Sequence, residues 1–216
     1  LLINPKDNYI SETGHRGDRP PLGLLNISAY LKQHGHEVKV LDVNHEPDYS
    51  HPYNSPPDFI CLSVSTPNYN QCLKIVELFK KMKSYNTNNT KYIAGGNHVT
   101  DFPQQKETLE MFSHVIVGDG EEALLGIIEG RYKEKIVKGK QLQVHDIPIP
   151  DYDAIDMNNY TMFVDGERAA LIVGALGCKY NCCWCGSAKI KNVRQIKILD
   201  IINHMKLLKQ KYGIHH

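Results

Sequence analysis

Four of the six cysteines fall within eight residues, in the run Gly177-Cys178-Lys179-Tyr180-Asn181-Cys182-Cys183-Trp184-Cys185-Gly186. No charged, then apolar leader opens the chain, so such a cluster is expected to bind metal before it forms disulfides. Cys178, Cys182 and Cys185 stand in a C-x3-C-x2-C spacing on a short loop. Their thiolates can converge on one iron–sulfur cubane, because each needs only a short bend of backbone. Clusters of this kind are usually held by four cysteines. Three ligands leave one iron open to another molecule, which turns an electron carrier into a reaction centre. A structural zinc site is the alternative, but it wants four ligands, typically as two separated pairs. Cys183 could supply the fourth thiolate, yet its adjacency to Cys182 makes convergence of both on one ion awkward. Cys61 and Cys72 stand alone in apolar periodic segments and read as small buried thiols.

Elements must position that loop, and composition bounds what they can be. The 216 residues carry 25 Lys+Arg against 24 Asp+Glu, so no basic field argues for nucleic acid. Hydrophobic residues at 41% with 23% charged describe an ordinary globular chain. The longest uncharged apolar run, residues 169–176, is far short of the roughly 18 needed for a membrane span. Membrane-spanning, collagen-like, disordered and secreted-knot classes are excluded, and a cytoplasmic location is expected. Leu1 rather than Met opens the sequence, and His215-His216 follows a helical pattern directly. The expectation is a piece of a longer protein.

Short apolar, β-branched or aromatic segments at 1–4, 37–42, 58–63, 91–94 and 114–117 read as strands. Helical patterns lie between them. Leu24, Ile27, Ser28 and Leu31 share one face, with Gly35 at the C-terminal cap position. Thr66 and Pro67 read as the start of a helix with Cys72, Ile75, Val76, Phe79 and Met82 as its stripe. Shorter helices are expected at 102–112 and 121–129. Strand–helix alternation predicts an α/β fold, a doubly wound parallel sheet of flavodoxin-like (Rossmann-like) order 2-1-3-4-5. Ligands bind such sheets beyond the carboxyl ends of the strands, which selects the loops 5–21, 63–70, 95–100 and 118–120. Residues 144–156, with two prolines and four aspartates, read as an extended inter-domain linker. An apolar strand at 169–176 then leads into the cysteines, and Ile198, Ile201, Ile202, Met205 and Leu208 form the stripe of a long helix. The expected division is an α/β domain at 1–140, a linker at 141–166 and one βα unit of a second domain at 167–216.

The cysteine run resembles the signature of the radical S-adenosylmethionine superfamily, with Trp184 as the aromatic before the last cysteine. Pro20-Pro21-Leu22-Gly23-Leu24-Leu25, Gly35-His36-Glu37-Val38, Pro57-Asp58, Gly95-Gly96-Asn97-His98 and Gly118-Asp119-Gly120-Glu121-Glu122 together resemble the cobalamin-binding domain that precedes the barrel in one branch of that superfamily. The resemblance implies a 4Fe–4S cluster on Cys178, Cys182 and Cys185, with Trp184 near the adenine of S-adenosylmethionine. It implies reductive cleavage of that molecule to a 5′-deoxyadenosyl radical, and methyl transfer or ring-forming or rearranging redox chemistry in the parent protein. The second unit would be the start of a partial TIM barrel, truncated here, so this chain alone is expected to be inactive. An electron donor such as flavodoxin or ferredoxin and a small-molecule or peptide substrate are further implications. Cobalamin would be contacted by Ser63, Thr66, Gly95, Gly96, His98, Gly118 and Gly120, the first in a Ser-Val-Ser loop that stands in for the family's Ser-x-Leu. The Asp-x-His-x-x-Gly motif that supplies a histidine to cobalt is absent, so cobalt is expected to lack a protein imidazole. The alternatives left open are a domain of this fold that no longer binds cobalamin and acts as a scaffold, and a zinc-stabilised structural module.

Overall fold

The computed structural model describes residues 1–6, 19–46, 56–82, 89–160, 162–180, 182–183, 185 and 192–216. The chain begins with β1 (Leu2–Asn4), α1 (Leu22–Gln33), β2 (Val40–Asp42), β3 (Phe59–Ser63), α2 (Tyr69–Lys81) and β4 (Lys91–Gly95). It continues with α3 (Asn97–Asp101), α4 (Lys106–Met111), β5 (His114–Val117), α5 (Glu121–Ile128) and β6 (Ile136–Lys138). These strands form one parallel sheet in the order β2-β1-β3-β4-β5-β6. The predicted order of the first five holds, and a sixth strand extends it.

Register alternation sends successive side chains to opposite faces. Leu2, Cys61, Ile93, Ile116 and Val137 share one core with Leu24, Leu25, Leu31 and Leu124 of α1 and α5. Ile3, Ile60, Leu62, Tyr92, Ala94 and Val115 share the other with Cys72, Ile75, Val76 and Phe79 of α2. Burial on both faces is why the strands read as continuous apolar runs. Cys61 and Cys72 are buried, as expected, and burial pushes their thiols up to about 11 and about 12 respectively.

Several local expectations are corrected. Helix α2 starts at Tyr69, not Pro67, with Asn68 at its cap. Asn68 Oδ1 accepts from the Ser65 backbone N–H (2.8 Å), so the side chain folds the loop before the helix. The 102–112 segment is not one helix: Phe102 caps α3, and α4 begins only at Lys106. Residues 144–156 are not an extended tether. Three 3-10 turns, Val144–Asp146, Tyr152–Ala154 and Met157–Asn159, form a strap whose middle turn packs against α1. Asp151 accepts from Ser28 Oγ (2.6 Å) and pairs with Lys32 (2.6 Å), while Tyr160 donates to Asp42 (2.8 Å).

Residues 169–176 do not form one strand. Phe163–Val164 (β7) pairs antiparallel with Glu167–Arg168 (β8), and only Ala175–Leu176 (β9) is extended before the cysteines, paired antiparallel with Arg194–Gln195 (β10). The final helix, α6 (Ile198–Tyr212), ends as predicted on left-handed Gly213. Its buried residues are His204 and Leu208, while Ile198 and Met205 are exposed. No helix among the described residues is long and apolar enough to cross a membrane.

Candidate functional site

The sheet order reverses direction at β1, whose neighbours are β2 on one side and β3 on the other. A cavity of about 370 Å³ opens there, at the carboxyl ends of β1, β3, β4 and β5. Its floor is Leu2, Cys61, Ile93 and Ile116, the inward residues of four adjacent strands, and its roof comes from α1 and α5. Its mouth is polar: Asn4, Asn26, Ser63, Asp119, Glu121 and Arg194 line it.

Five of the residues singled out in the sequence, Ser63, Gly95, Gly96, Gly118 and Gly120, line this one cavity. Gly96 sits at φ +108, and a Cβ there would lie 2.6 Å from the Val64 carbonyl oxygen and 2.9 Å from its nitrogen. Only glycine fits such a position. At Gly95 the nearest atom to a Cβ would be Ile116 Cβ at 4.0 Å, and at Gly23 nothing lies within 4 Å. These absent side chains leave open volume inside the cavity rather than relieving a clash.

Thr66 and His98 do not line it. Thr66 donates its hydroxyl to His98 Nδ1 (3.1 Å), and His98 Nε2–H donates to Gln105 Oε1 (2.9 Å). The ring is buried between Tyr69 and Phe102, with centroids 4.4 and 5.3 Å away. Both nitrogens are used, so His98 offers no lone pair to a metal. It holds the Gly95–Gly96 loop against β3, helped by its backbone N–H on the Val64 carbonyl (3.1 Å).

Of four further polar residues of the cavity, Asp119 and Glu121 entered the sequence reading only within the 118–122 run, and Asn26 and Arg194 not at all. Asp119 and Glu121 alternate with the glycines of the loop after β5. Burial pushes the Glu121 carboxyl upward, with Asp119 acting in the same sense, against its own backbone N–H and Arg194. Arg194, on β10, donates through Nη2 to Asp119 (2.5 Å) and through Nη1 to the Leu142 carbonyl (2.7 Å). Among the described residues its Nε is buried without a partner, as is Asn26 Oδ1.

The cysteine loop leaves directly from this cavity. Leu176 lines it, and Gly177 turns at φ +88 with its Cβ position 2.1 Å from the Asn192 carbonyl oxygen. Cys178 and Cys185 are half-buried and Cys182 and Cys183 exposed, all as free thiols. The backbone turns back once, with Cys185 N–H on the Cys182 carbonyl (3.1 Å). No group of three or more potential ligands stands preformed among the described residues. Trp184 lies outside the described residues.

Comparison with known proteins agrees with this geometry. A curated relative, the uncharacterized methyltransferase PH0819 of Pyrococcus horikoshii, is 24% identical over 242 residues, covering 99% of this chain and 51% of that protein. The chain thus spans about half the length of the curated relative it matches. Among solved structures, the radical S-adenosylmethionine methyltransferase TsrM from Kitasatospora setae, with cobalamin and a 4Fe-4S cluster bound, superposes with TM-score 0.72 at 16% identity, over 99% of this chain and 46% of that one. The cobalamin-dependent S-adenosylmethionine radical enzyme OxsB, with aqua-cobalamin bound, gives TM-score 0.74 at 17% identity, over 99% and 32%. The B12 binding domain profile matches residues 15–128, which is more than half of the sequence and includes the glycine loops of the cavity. On sequence and on fold, this chain belongs to the B12 binding domain family.

Proposed function

We propose that this chain is part of a cobalamin-dependent radical S-adenosylmethionine enzyme, in which the cavity at the sheet edge holds cobalamin and Cys178, Cys182 and Cys185 hold a 4Fe–4S cluster. The observation that carries the reading is the direct continuity of the two features: β9 contributes Leu176 to the cavity and enters the cysteine loop two residues later. The chemistry of the site fits the group. An apolar floor under a polar mouth suits a large ligand with an apolar body and polar rim, and the missing Cβ atoms of Gly23 and Gly95 leave it room.

Cobalamin, when bound, supplies a cobalt centre able to carry a methyl group or an electron. A cluster held by Cys178, Cys182 and Cys185 would, when reduced, supply an electron for cleavage of S-adenosylmethionine. The chain's own residues bind, orient and exclude water. Leu2, Ile93 and Ile116 close the floor of the cavity to solvent, and the Gly95–Gly96 loop lets backbone approach the ligand. Among the described residues no histidine lines the cavity, which supports a cobalt without a protein imidazole. Substrate class and electron donor lie with the parent protein: a small molecule or peptide, and a flavodoxin- or ferredoxin-like reductant.

The test is anaerobic purification of the parent protein with iron, sulfide and zinc analysis. Iron and sulfide near four per chain are expected, lost on replacing Cys178, Cys182 or Cys185 by Ala and kept in Cys183→Ala. Stoichiometric zinc, with no iron or sulfide after reconstitution, contradicts the reading and leaves the zinc-stabilised module.

A further inference from the structure

Arg194 carries more than its role in the hairpin requires. Its side chain is 13% exposed and joins three segments far apart in sequence: β10, Asp119 of the loop after β5, and Leu142 just before the strap. Two of its nitrogens are satisfied there. The third nitrogen, Nε, is buried in the cavity wall with no acceptor among the described residues. Leaving a buried donor of a charged group unpaired costs more than a typical hydrogen bond returns. Asn26 Oδ1, in the wall formed by α1, is an orphan of the opposite kind, an acceptor with no donor among the described residues.

The charge around the guanidinium decides what ligand group the pair suits. Asp119 already neutralises it, and the Glu121 carboxyl is close enough to interact with both. An anionic group, such as a phosphate, would bring a further negative charge beside these two carboxyls. A neutral primary carboxamide brings none, and it offers one carbonyl to a donor and an NH₂ to an acceptor. The rim of a corrin carries carboxamides of this kind.

We infer that Arg194 and Asn26 are corrin-recognition residues, Arg194 Nε donating to a peripheral carboxamide oxygen and Asn26 Oδ1 accepting from a carboxamide NH₂. The inference rests on the cobalamin reading and deepens it. It also gives the cysteine loop a link to the cofactor. Arg194 pairs in register with Leu176, one residue before Gly177, and Gly177 packs on the Asn192 carbonyl. A ligand that holds Arg194 therefore holds the two-residue ladder from which Cys178 departs.

The experiment uses the full chain, with hydroxocobalamin affinity read by visible absorbance and backbone ordering read by hydrogen exchange. Wild type should bind and show slowed exchange at residues 175–177 and 194–195. Arg194→Lys keeps a cation for Asp119 but has no Nε; it should bind about tenfold more weakly and lose the slowed exchange. Asn26→Ala should weaken dicyanocobinamide by about threefold to tenfold. It should leave unchanged the affinity for the dicyano cobyrinate methyl ester, which has carbonyls but no amide NH₂. A merely structural loss would weaken both corrinoids alike and overturns the assignment of Asn26. Wild-type binding that Arg194→Lys leaves within twofold overturns the assignment of Arg194 alone. Failure of folded wild type to bind any of these corrinoids overturns the cobalamin reading and this inference with it.

Discussion

At the carboxyl edge of the sheet, the loops that line the cavity are fixed before any ligand arrives. Val64 N–H reaches the Gly95 carbonyl (2.7 Å), His98 N–H reaches Val64, and Thr100 Oγ1 accepts from Gly118 N–H (3.1 Å). One bond thus passes to the next from β3 through β4 to β5. Just beyond Leu176, the described residues of the cysteine loop show a single internal backbone bond, Cys185 to Cys182, and thiols at or near the surface. The two regions suit different cofactors. A large organic ligand held by many weak contacts gains affinity from a preorganised cavity. A cluster held by covalent iron–thiolate bonds can impose its own geometry, since metal binding free energy also folds the site.

Thiol reactivity breaks or sharpens that contrast most strongly. In the native, cluster-free chain near pH 8, iodoacetamide should label Cys182 and Cys183 first and Cys178 and Cys185 more slowly. Cys61 and Cys72, buried and pushed up to about 11 and about 12, should react slower by orders of magnitude. Equal labelling of all six, read by peptide mass analysis, would mean the sheet is no firmer than the loop.

The next effect is on the fold itself. Gly96→Ala forces a Cβ onto the Val64 backbone at a positive φ and should cost about 2 kcal/mol or more in denaturant unfolding. Gly177→Ala meets a comparable contact at the Asn192 carbonyl, but in a two-stranded hairpin outside the main sheet. Its global stability should fall less than that of Gly96→Ala. The reverse ranking would place the rigid element in the hairpin.

Smallest is an acid response confined to the strap and α6. Burial lowers the His204 pKa, and its neutral Nε2 accepts from the Tyr152 hydroxyl (2.9 Å). The folded state therefore binds this proton less readily than the unfolded one. Its contribution is present above the unfolded value of about 6.5 and is lost as pH falls from there toward the folded pKa. Midpoint temperatures between pH 7.5 and 5.5 should fall less steeply in His204→Gln than in wild type. Identical slopes would remove His204 from the acid response.

Much of the sheet was legible because β1, β3, β4 and β5 are buried on both faces, and their apolar runs need no partner to be recognised. β6 was not: three residues ending in Lys138 and flanked by Lys135 and Lys140, with only Val137 deeply buried, carry no periodic signal. The strap was misread for the opposite reason. Its prolines and aspartates look like a tether, but Tyr152 and Tyr160 anchor it to His204 and Asp42 through bonds spanning 52 and 118 residues. At the site, glycines and hydroxyls on strand-end loops could be located from topology alone. Arg194 could not, because it meets Asp119 across 75 residues, through a hairpin of two-residue strands. His98, expected on a loop, lies in the short helix α3, and its engagement by Thr66 and Gln105 required the structure.

The central claim, that the glycine-lined cavity at the carboxyl edge of the sheet is the cobalamin site, is tested most directly with Gly95→Val. The nearest atom to a Cβ there is Ile116 Cβ at 4.0 Å, so the new side chain grows into the cavity and not into the core. Hydroxocobalamin titrated into both proteins should show saturable one-to-one binding by wild type. Gly95→Val should bind at least about tenfold more weakly, with a melting temperature near that of wild type in the absence of ligand. Equal affinity in the two proteins, or no binding by folded wild type, would contradict the account.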